Sequence, residues 1–246
     1  MRAMILAAGF GSRLRPLTDA TPKPLIEVAG RPMIAYALAL VRAAGITEVG
    51  INLHHLGEQI RAALGDGSDY GVRITYFPED PILDTGGGIE AARSFLASDR
   101  FVVLNADTVA EIELSQVIEF HLQRRGAATL VLRPDPQAER YGTLEIDDES
   151  RIRRILKEPR QLPAGVHDPL RALMFAGIHV IEARIFDYMQ PGSYSITRAT
   201  YPAMLAAGEA LYGYVHHGFW QVLDTHEGLA AGSREIAARF ATLGPP

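Results

Sequence analysis

The chain has 246 residues, a formal net charge of −5, 48% hydrophobic and 22% charged residues, and no cysteine. That length fits one large domain, or one carrying a small subdomain. Absence of cysteine excludes structural disulfides and thiolate metal sites and fits a reducing, cytoplasmic setting. The acidic balance argues against a broad nucleic-acid face, and no apolar run approaches the roughly 20 residues that a membrane span needs.

In chain order, Met1-Arg2 leads straight into an apolar run over 4–8 that reads as one buried strand, so no signal peptide is expected. Gly9 and Gly11 break the run, Ser12, Arg13 and Arg15 follow, and Lys23 sits between two prolines in Thr21-Pro22-Lys23-Pro24. Glycines let backbone N–H groups approach an anion closely, and arginine and lysine supply charge. A strand feeding such a loop is a way to hold phosphates. The pattern is not the dinucleotide fingerprint, which lacks its third glycine here, and there is no Walker A run.

Helical spacing over 32–44, with Pro32 near the first turn and Gly45 beyond the end, predicts a helix. A strand over 48–53, a helix over 56–64 and a strand over 72–77 follow. Gly86-Gly87-Gly88 leads into an expected helix over 89–96, and a buried strand over 100–104 ends in Asn105-Ala106-Asp107. Asp107 therefore lies where open α/β sheets place their ligands. A helix over 114–123 and a strand over 127–133 complete a core over 1–135. Alternating strands and helices predict an α/β fold with a mostly parallel sheet.

Residues 136–246 read as a smaller α+β region. Strands are expected over 141–146, 152–156 and 173–178, with a hairpin turn at Asp147-Asp148 and a proline-rich loop over 159–170. Helices over 180–188 and 197–206, a strand over 210–215 and a closing amphipathic helix over 226–240 follow. The pairs His54-His55 and His216-His217 do not make a simple chelate, because neighbouring side chains on a strand point apart.

Leu6-Ala7-Ala8-Gly9-Phe10-Gly11-Ser12-Arg13-Leu14-Arg15-Pro16-Leu17-Thr18, followed by Thr21-Pro22-Lys23-Pro24-Leu25, closely resembles the signature of sugar-1-phosphate nucleotidyltransferases. The resemblance continues through Gly30-Arg31-Pro32-Met33-Ile34, Gly86 to Gly88, Asn105-Ala106-Asp107, Tyr141-Gly142 and Gly218-Phe219-Trp220, and so covers almost the whole chain. It implies a Rossmann-like mostly parallel mixed sheet flanked by helices. The nucleotide would belong to 1–135 and the sugar phosphate to 136–246, completing the same domain. It also implies a Mg²⁺-dependent reaction of an NTP with a sugar 1-phosphate, giving an NDP-sugar and pyrophosphate.

Carried over residue by residue, the resemblance implies that Gly9, Gly11 and Ser12 approach the nucleotide and that Arg13 holds the β- and γ-phosphates. Lys23 would contact the α-phosphate and the incoming sugar phosphate, and Asp107 would anchor the metal. Gly86, Gly87 and Gly88 would lie against the base, with Leu6, Ala7 and Ala8 on its other side. Asn105 joins the nucleotide set, and Glu79 stands where some relatives carry a base-reading glutamine. Many relatives place a second metal aspartate where this chain has Val222, so Asp224, two residues on, is the expected substitute. On the sugar side, Tyr141, Gly142, Lys157, Glu158, Gly177 and Arg198 are implied; Lys157-Glu158-Pro159 inverts the usual Glu-Lys-Pro.

The triple glycine resembles N-acetylmuramate-1-phosphate uridylyltransferases, which implies UTP and a cell-wall route. Phe219-Trp220-Gln221 resembles glucose-1-phosphate cytidylyltransferases, which implies CTP. GTP with mannose or heptose 1-phosphate is a further reading, and a non-catalytic sugar-nucleotide-binding regulator is the rival outside enzymes. A monomer or small homo-oligomer is expected, without a hexapeptide-repeat domain after the closing helix.

Overall fold

Fully buried Ala3, Met4 and Ile5 begin the first strand, Arg2–Leu6. The structure, a computed structural model, describes residues 1–136, 138, 143–157 and 169–240. Tyr141, Gly142, Glu158 and most of the loop expected over 159–170 lie outside the described residues. The chain gathers into two compact units. The first comprises Met1–Ile82, Leu104–Ile112 and the stretch beginning at Gly218; the second comprises Leu83–Val103 and Glu113–His217.

In the first unit, Arg2–Leu6 pairs in parallel with Glu48–Leu53, Leu6 opposite Asn52. Glu48–Leu53 pairs in parallel with Arg73–Pro78, Leu53 opposite Pro78. Parallel neighbours need crossovers, and the helices Met33–Ala43 and Gly57–Leu64 supply them. Pro32 precedes the first of these, whose spacing predicts an apolar face of Met33, Ala37, Leu40 and Val41; Met33, Ala37 and Val41 are buried, with Ile34 and Leu38 beside them, whereas Leu40 is only half-buried. The strand expected over 4–8 stops at Leu6, which leaves Ala7 and Ala8 as a buried lead into the glycine loop.

Two short ladders were not expected. Glu27–Val28 pairs with Arg31–Pro32 around Ala29 (φ 51°) and Gly30 (φ 77°), a two-residue turn with both central residues left-handed. Thr108–Ala110 pairs antiparallel with Trp220–Val222. Two or three residues are too few to show a period in sequence.

The second unit is mostly antiparallel. Arg171–Ile181 pairs with Ala128–Arg133 and with Thr143–Ile146. Thr143–Ile146 and Ile152–Ile155 form the expected hairpin, whose turn is held by Asp147 Oδ1 accepting from the Glu149 and Arg151 N–H groups at 3.0 and 2.9 Å. Leu211–Val215 joins Ala128–Arg133 in parallel. Parallel and antiparallel strands flanked by helices give the Rossmann-like α/β class that the sequence implies.

The helix expected over 180–188 is instead the end of the strand Arg171–Ile181 followed by a 3-10 helix, Ala183–Tyr188. Val180 and Ile181 sit opposite Thr129 and Ala128, and cross-strand pairing holds these β-branched residues extended. Among the described residues no helix is long and apolar enough to cross a membrane.

Candidate functional site

In the first unit the loop after Arg2–Leu6 carries two glycines with different demands. Gly11 is left-handed (φ 63°), and a Cβ there would lie 2.8 Å from Thr18 Cγ2 and 3.1 Å from Lys23 Cβ. The fold itself requires glycine at that point. Gly9 has no heavy atom within 4 Å of where a Cβ would stand and no positive φ. Packing does not explain glycine there, whereas close approach of a ligand would.

The loop then turns through the 3-10 helix Ser12–Leu14, which buries Leu14 between exposed Arg13 and Arg15. Leu14 belongs to an apolar cluster with Ile26, Val109, Leu223 and Ile236. Four of these anchors stand one to three residues from a polar side chain of the site. Leu14 neighbours Arg13, Ile26 follows Lys23, Val109 follows Asp107 and Leu223 precedes Asp224. One core thus positions four charged groups drawn from distant parts of the chain.

Those four groups meet in two ion pairs. Lys23 Nζ donates to Asp107 Oδ2 at 2.5 Å, with side chains 12% and 27% exposed. Arg13 Nη1 lies 2.6 Å from Asp224 Oδ2, with exposures of 63% and 11%. The Leu223 N–H donates to the Asp107 carbonyl at 3.0 Å, which ties the backbones beside the two carboxylates together. Asp224 does not cap the last helix. Thr225 does, its side chain accepting from the Gly228 N–H at 3.0 Å, so the Asp224 carboxylate pairs with Arg13 instead.

Three histidines, His54, His55 and His226, brace this loop. The His55 Nε2–H donates to the Thr18 carbonyl at 2.8 Å, and the His226 Nε2–H donates to the Arg15 carbonyl at 2.9 Å. Phe10 packs against the His54 ring at 5.1 Å and the His55 ring at 5.6 Å between centroids. Thr18 Oγ1 donates to the Gly11 carbonyl at 3.0 Å. Asn52 accepts from the Ala7 N–H at 2.7 Å and donates to Glu79 Oε1 at 2.8 Å. Sequence reasoning missed Asn52 and Thr18 as supports; a polar side chain inside the apolar strand 48–53 was the available signal for Asn52.

In the second unit, Gly86, Gly87 and Gly88 lie inside the helix Asp84–Ala91, not ahead of a helix as expected. A Cβ at Gly86 would come within 2.2 Å of Tyr194 Cε2, and one at Gly87 within 2.0 Å of the Gly192 carbonyl oxygen. The segment around 192–196 is fastened there. The Tyr194 N–H donates to the Leu83 carbonyl, the Gly86 N–H to the Tyr194 carbonyl and the Ile196 N–H to Thr85 Oγ1, all within 2.8–3.1 Å. Gly87→Ala is expected to destabilise the protein by about 1–3 kcal/mol, because overpacking against backbone outweighs the ~1 kcal/mol that alanine gains in a helix. Urea unfolding checks this; an unchanged midpoint would show that the 192–196 segment is not held.

Asn105 ends the strand Phe101–Asn105, half-buried. Among the sugar-side residues, Gly177 (φ 77°) sits where the register of Arg171–Ile181 shifts, between Phe175 and His179. His179 itself is buried against Tyr201, and burial holds it down at about 3, so it stays neutral near pH 7. Lys157 (φ 69°) is exposed directly after Leu156 (φ 54°), and Arg198 is exposed. The described contacts do not bring Gly177, Lys157 and Arg198 together.

Asp107 and Asp224 are hard oxygen donors of the kind Mg²⁺ takes when it keeps waters and phosphate oxygens as its remaining ligands. Among the described residues no three His, Asp or Glu side chains gather, so a fully protein-made metal cage is not present. The pair of carboxylates fits a metal that arrives with phosphates.

The family model described as nucleotidyl transferase matches residues 2–239. A mannose-1-phosphate guanylyltransferase of Mycobacterium tuberculosis is 34% identical over 243 residues, covering 97% of this chain and 65% of its own length. The chain thus spans about two thirds of that relative. An N-acetylmuramate alpha-1-phosphate uridylyltransferase of Neisseria meningitidis serogroup B is 36% identical over 228 residues, covering 92% of this chain and 94% of its own. A Bacillus anthracis crystal structure, described as a putative glucose-1-phosphate thymidylyltransferase in complex with sucrose, superposes with a TM-score of 0.82 at 26% identity. It covers 96% of this chain and 95% of that one.

Proposed function

We infer the reaction from one premise: the chain belongs to the nucleotidyl transferase family. The protein is an enzyme that transfers a nucleotidyl group from an NTP to a sugar 1-phosphate. A phosphate oxygen of the sugar 1-phosphate attacks the α-phosphorus in line. The bond from that phosphorus to the bridging oxygen breaks, and pyrophosphate leaves. The attacking oxygen is already anionic near neutral pH, so no general base is needed, and the task is positioning and charge neutralisation.

The observation that carries this reading is the double ion pair Lys23–Asp107 and Arg13–Asp224 beside a glycine loop whose Gly9 is not demanded by packing. Arg13 and Lys23 turn from carboxylates to phosphates: Arg13 to the leaving pyrophosphate, Lys23 to the α-phosphate. Asp107 and Asp224, freed of these partners, would hold Mg²⁺, which would neutralise charge on the α-phosphate. The backbone of Leu6 and Ala8 to Ser12 borders the nucleotide, and Asn105 belongs to the same set. In the second unit, Gly86 to Gly88 serve the base side, and Lys157, Gly177 and Arg198 serve the sugar phosphate. The core over 1–135 carries the nucleotide and 136–246 the sugar.

The finer reading is uridylyl transfer to N-acetylmuramate 1-phosphate in a cell-wall route. It is supported by the Neisseria relative, which this chain matches over nearly the full length of both. A second reading, guanylyl transfer to mannose 1-phosphate, is supported by the Mycobacterium relative at similar identity. A panel of UTP, GTP, CTP and dTTP against N-acetylmuramate, mannose and glucose 1-phosphates, read by pyrophosphate release with Mg²⁺, tests both. UTP with N-acetylmuramate 1-phosphate is expected to turn over fastest; GTP with mannose 1-phosphate in first place would establish the second reading. Nucleotide binding without turnover of any pair would favour the regulatory alternative.

A further inference from the structure

Glu79 is a carboxylate only 6% exposed, and Asn52 beside it is 3% exposed. Asn52 Nδ2 donates to Glu79 Oε1 at 2.8 Å, and Asn52 Oδ1 accepts from the Ala7 N–H at 2.7 Å. The amide cannot be turned over without loss. A backbone N–H only donates and a carboxylate accepts, so the amide oxygen must face Ala7 and its nitrogen must face Glu79. Ala7 is the first residue beyond the strand Arg2–Leu6 and leads into the glycine loop. The same strand end is held from a second direction, where the Ala106 N–H donates to the Leu6 carbonyl at 3.0 Å.

Glu79 reaches the loop by another route as well. Its carbonyl accepts from His54 Nδ1–H at 2.9 Å, and the His54 ring meets Phe10, between the two glycines, edge-on at 5.1 Å. Its own N–H donates to the Leu53 carbonyl at 2.7 Å, which fixes Glu79 against the strand that carries Asn52. One buried residue is thus linked to both the entry and the tip of the loop.

From this geometry we infer that Glu79 and Asn52 are positioning residues for the nucleotide-binding loop. Glu79 acts through Asn52 on the Ala7 backbone and through His54 on Phe10, and it does not read the base by direct contact. The inference rests on the proposed role of the loop in binding the NTP.

The test exchanges donor and acceptor. Asn52→Asp sets two buried carboxylates against each other, and is expected to weaken NTP binding about tenfold or more, the scale of one lost charge-assisted hydrogen bond. Glu79→Gln alone keeps an acceptor facing the Asn52 amide and is expected to leave NTP affinity within about threefold of wild type. Combining the two substitutions restores a matched pair. The introduced glutamine amide then donates to the introduced carboxylate, which still accepts from Ala7, and affinity is expected to return to within about threefold of wild type.

Calorimetric titration of NTP, with the melting temperature measured in parallel, reads both binding and folding. A merely structural role would move the melting temperature and not the affinity of the folded variants, and that result overturns the inference. So does a Glu79→Gln variant that weakens one NTP selectively and is not relieved by Asn52→Asp, which would make Glu79 a base contact. Should Asn52→Asp fail to fold alone, the double variant decides: recovery of folding and affinity supports the relay, and failure of either overturns it. Wild-type protein that binds no NTP would instead overturn the proposed function, on which the inference rests.

Discussion

Lys23→Ala is expected to lower kcat/KM by about 10³-fold, the scale of removing one preorganised charge from a developing transition state. Lys23 is held for this task. Its side chain is 12% exposed, its ammonium sits 2.5 Å from Asp107 Oδ2, and its Cβ lies beneath the left-handed Gly11. The substitution removes a phosphate-binding cation and leaves the Asp107 carboxylate, 27% exposed, without that partner. Loss of the pair is expected to cost about 1–2 kcal/mol of stability, since the remaining charge is only partly reached by water. A second readout separates roles. In nucleotide-free Lys23→Ala, Asp107 no longer holds a competing cation, so Mn²⁺ is expected to bind more tightly than to wild type by equilibrium titration. Weaker Mn²⁺ binding would show that Asp107 does not serve the metal.

Asp224→Ala is expected to reduce kcat by about 10²–10³-fold, again the scale of one lost electrostatic contact at the reacting phosphate. Its effect on stability is expected to stay within about 1 kcal/mol, because its partner Arg13 is 63% exposed and turns to water at little cost. Steady-state kinetics across a Mg²⁺ titration checks the assignment. The variant is expected to need far more Mg²⁺ for half-maximal rate. Full activity at ordinary Mg²⁺ would remove Asp224 from the metal site.

Much of the first unit was legible in sequence because its signals are local. Gly9, Gly11, Arg13 and Lys23 stand within one short ordered motif, and Asp107 follows a buried strand directly. The parallel strands and their helices were readable because each is long enough to show its period. What stayed hidden is the partnering of side chains. The pairing of Lys23 with Asp107 joins residues 84 apart, and no spacing rule connects them. The Thr108–Ala110 and Trp220–Val222 ladder, which brings the two aspartate-bearing segments together, is too short to announce itself. Asn52 looked like one more strand residue, and its role appeared only once Ala7 and Glu79 stood on either side of it.

The glycines differ in what the fold itself demands of them. The segment at Gly192 and Tyr194 leaves no room for a side chain at Gly86 or Gly87, whatever else these positions serve. Gly9, by contrast, has open space around it and no strained backbone. At Val180 and Ile181 cross-strand partners overrode an apparent helix.

The proposed reaction breaks the bond between the α-phosphorus and the oxygen that bridges it to the β-phosphate. Wild-type protein with Mg²⁺, a sugar 1-phosphate and NTP labelled at either the α- or the γ-phosphorus tests it directly. The α-label is expected to enter an NDP-sugar while the γ-label leaves as pyrophosphate, in equal amounts. Release of the γ-label as orthophosphate, with the α-label still on a free nucleotide, would contradict it.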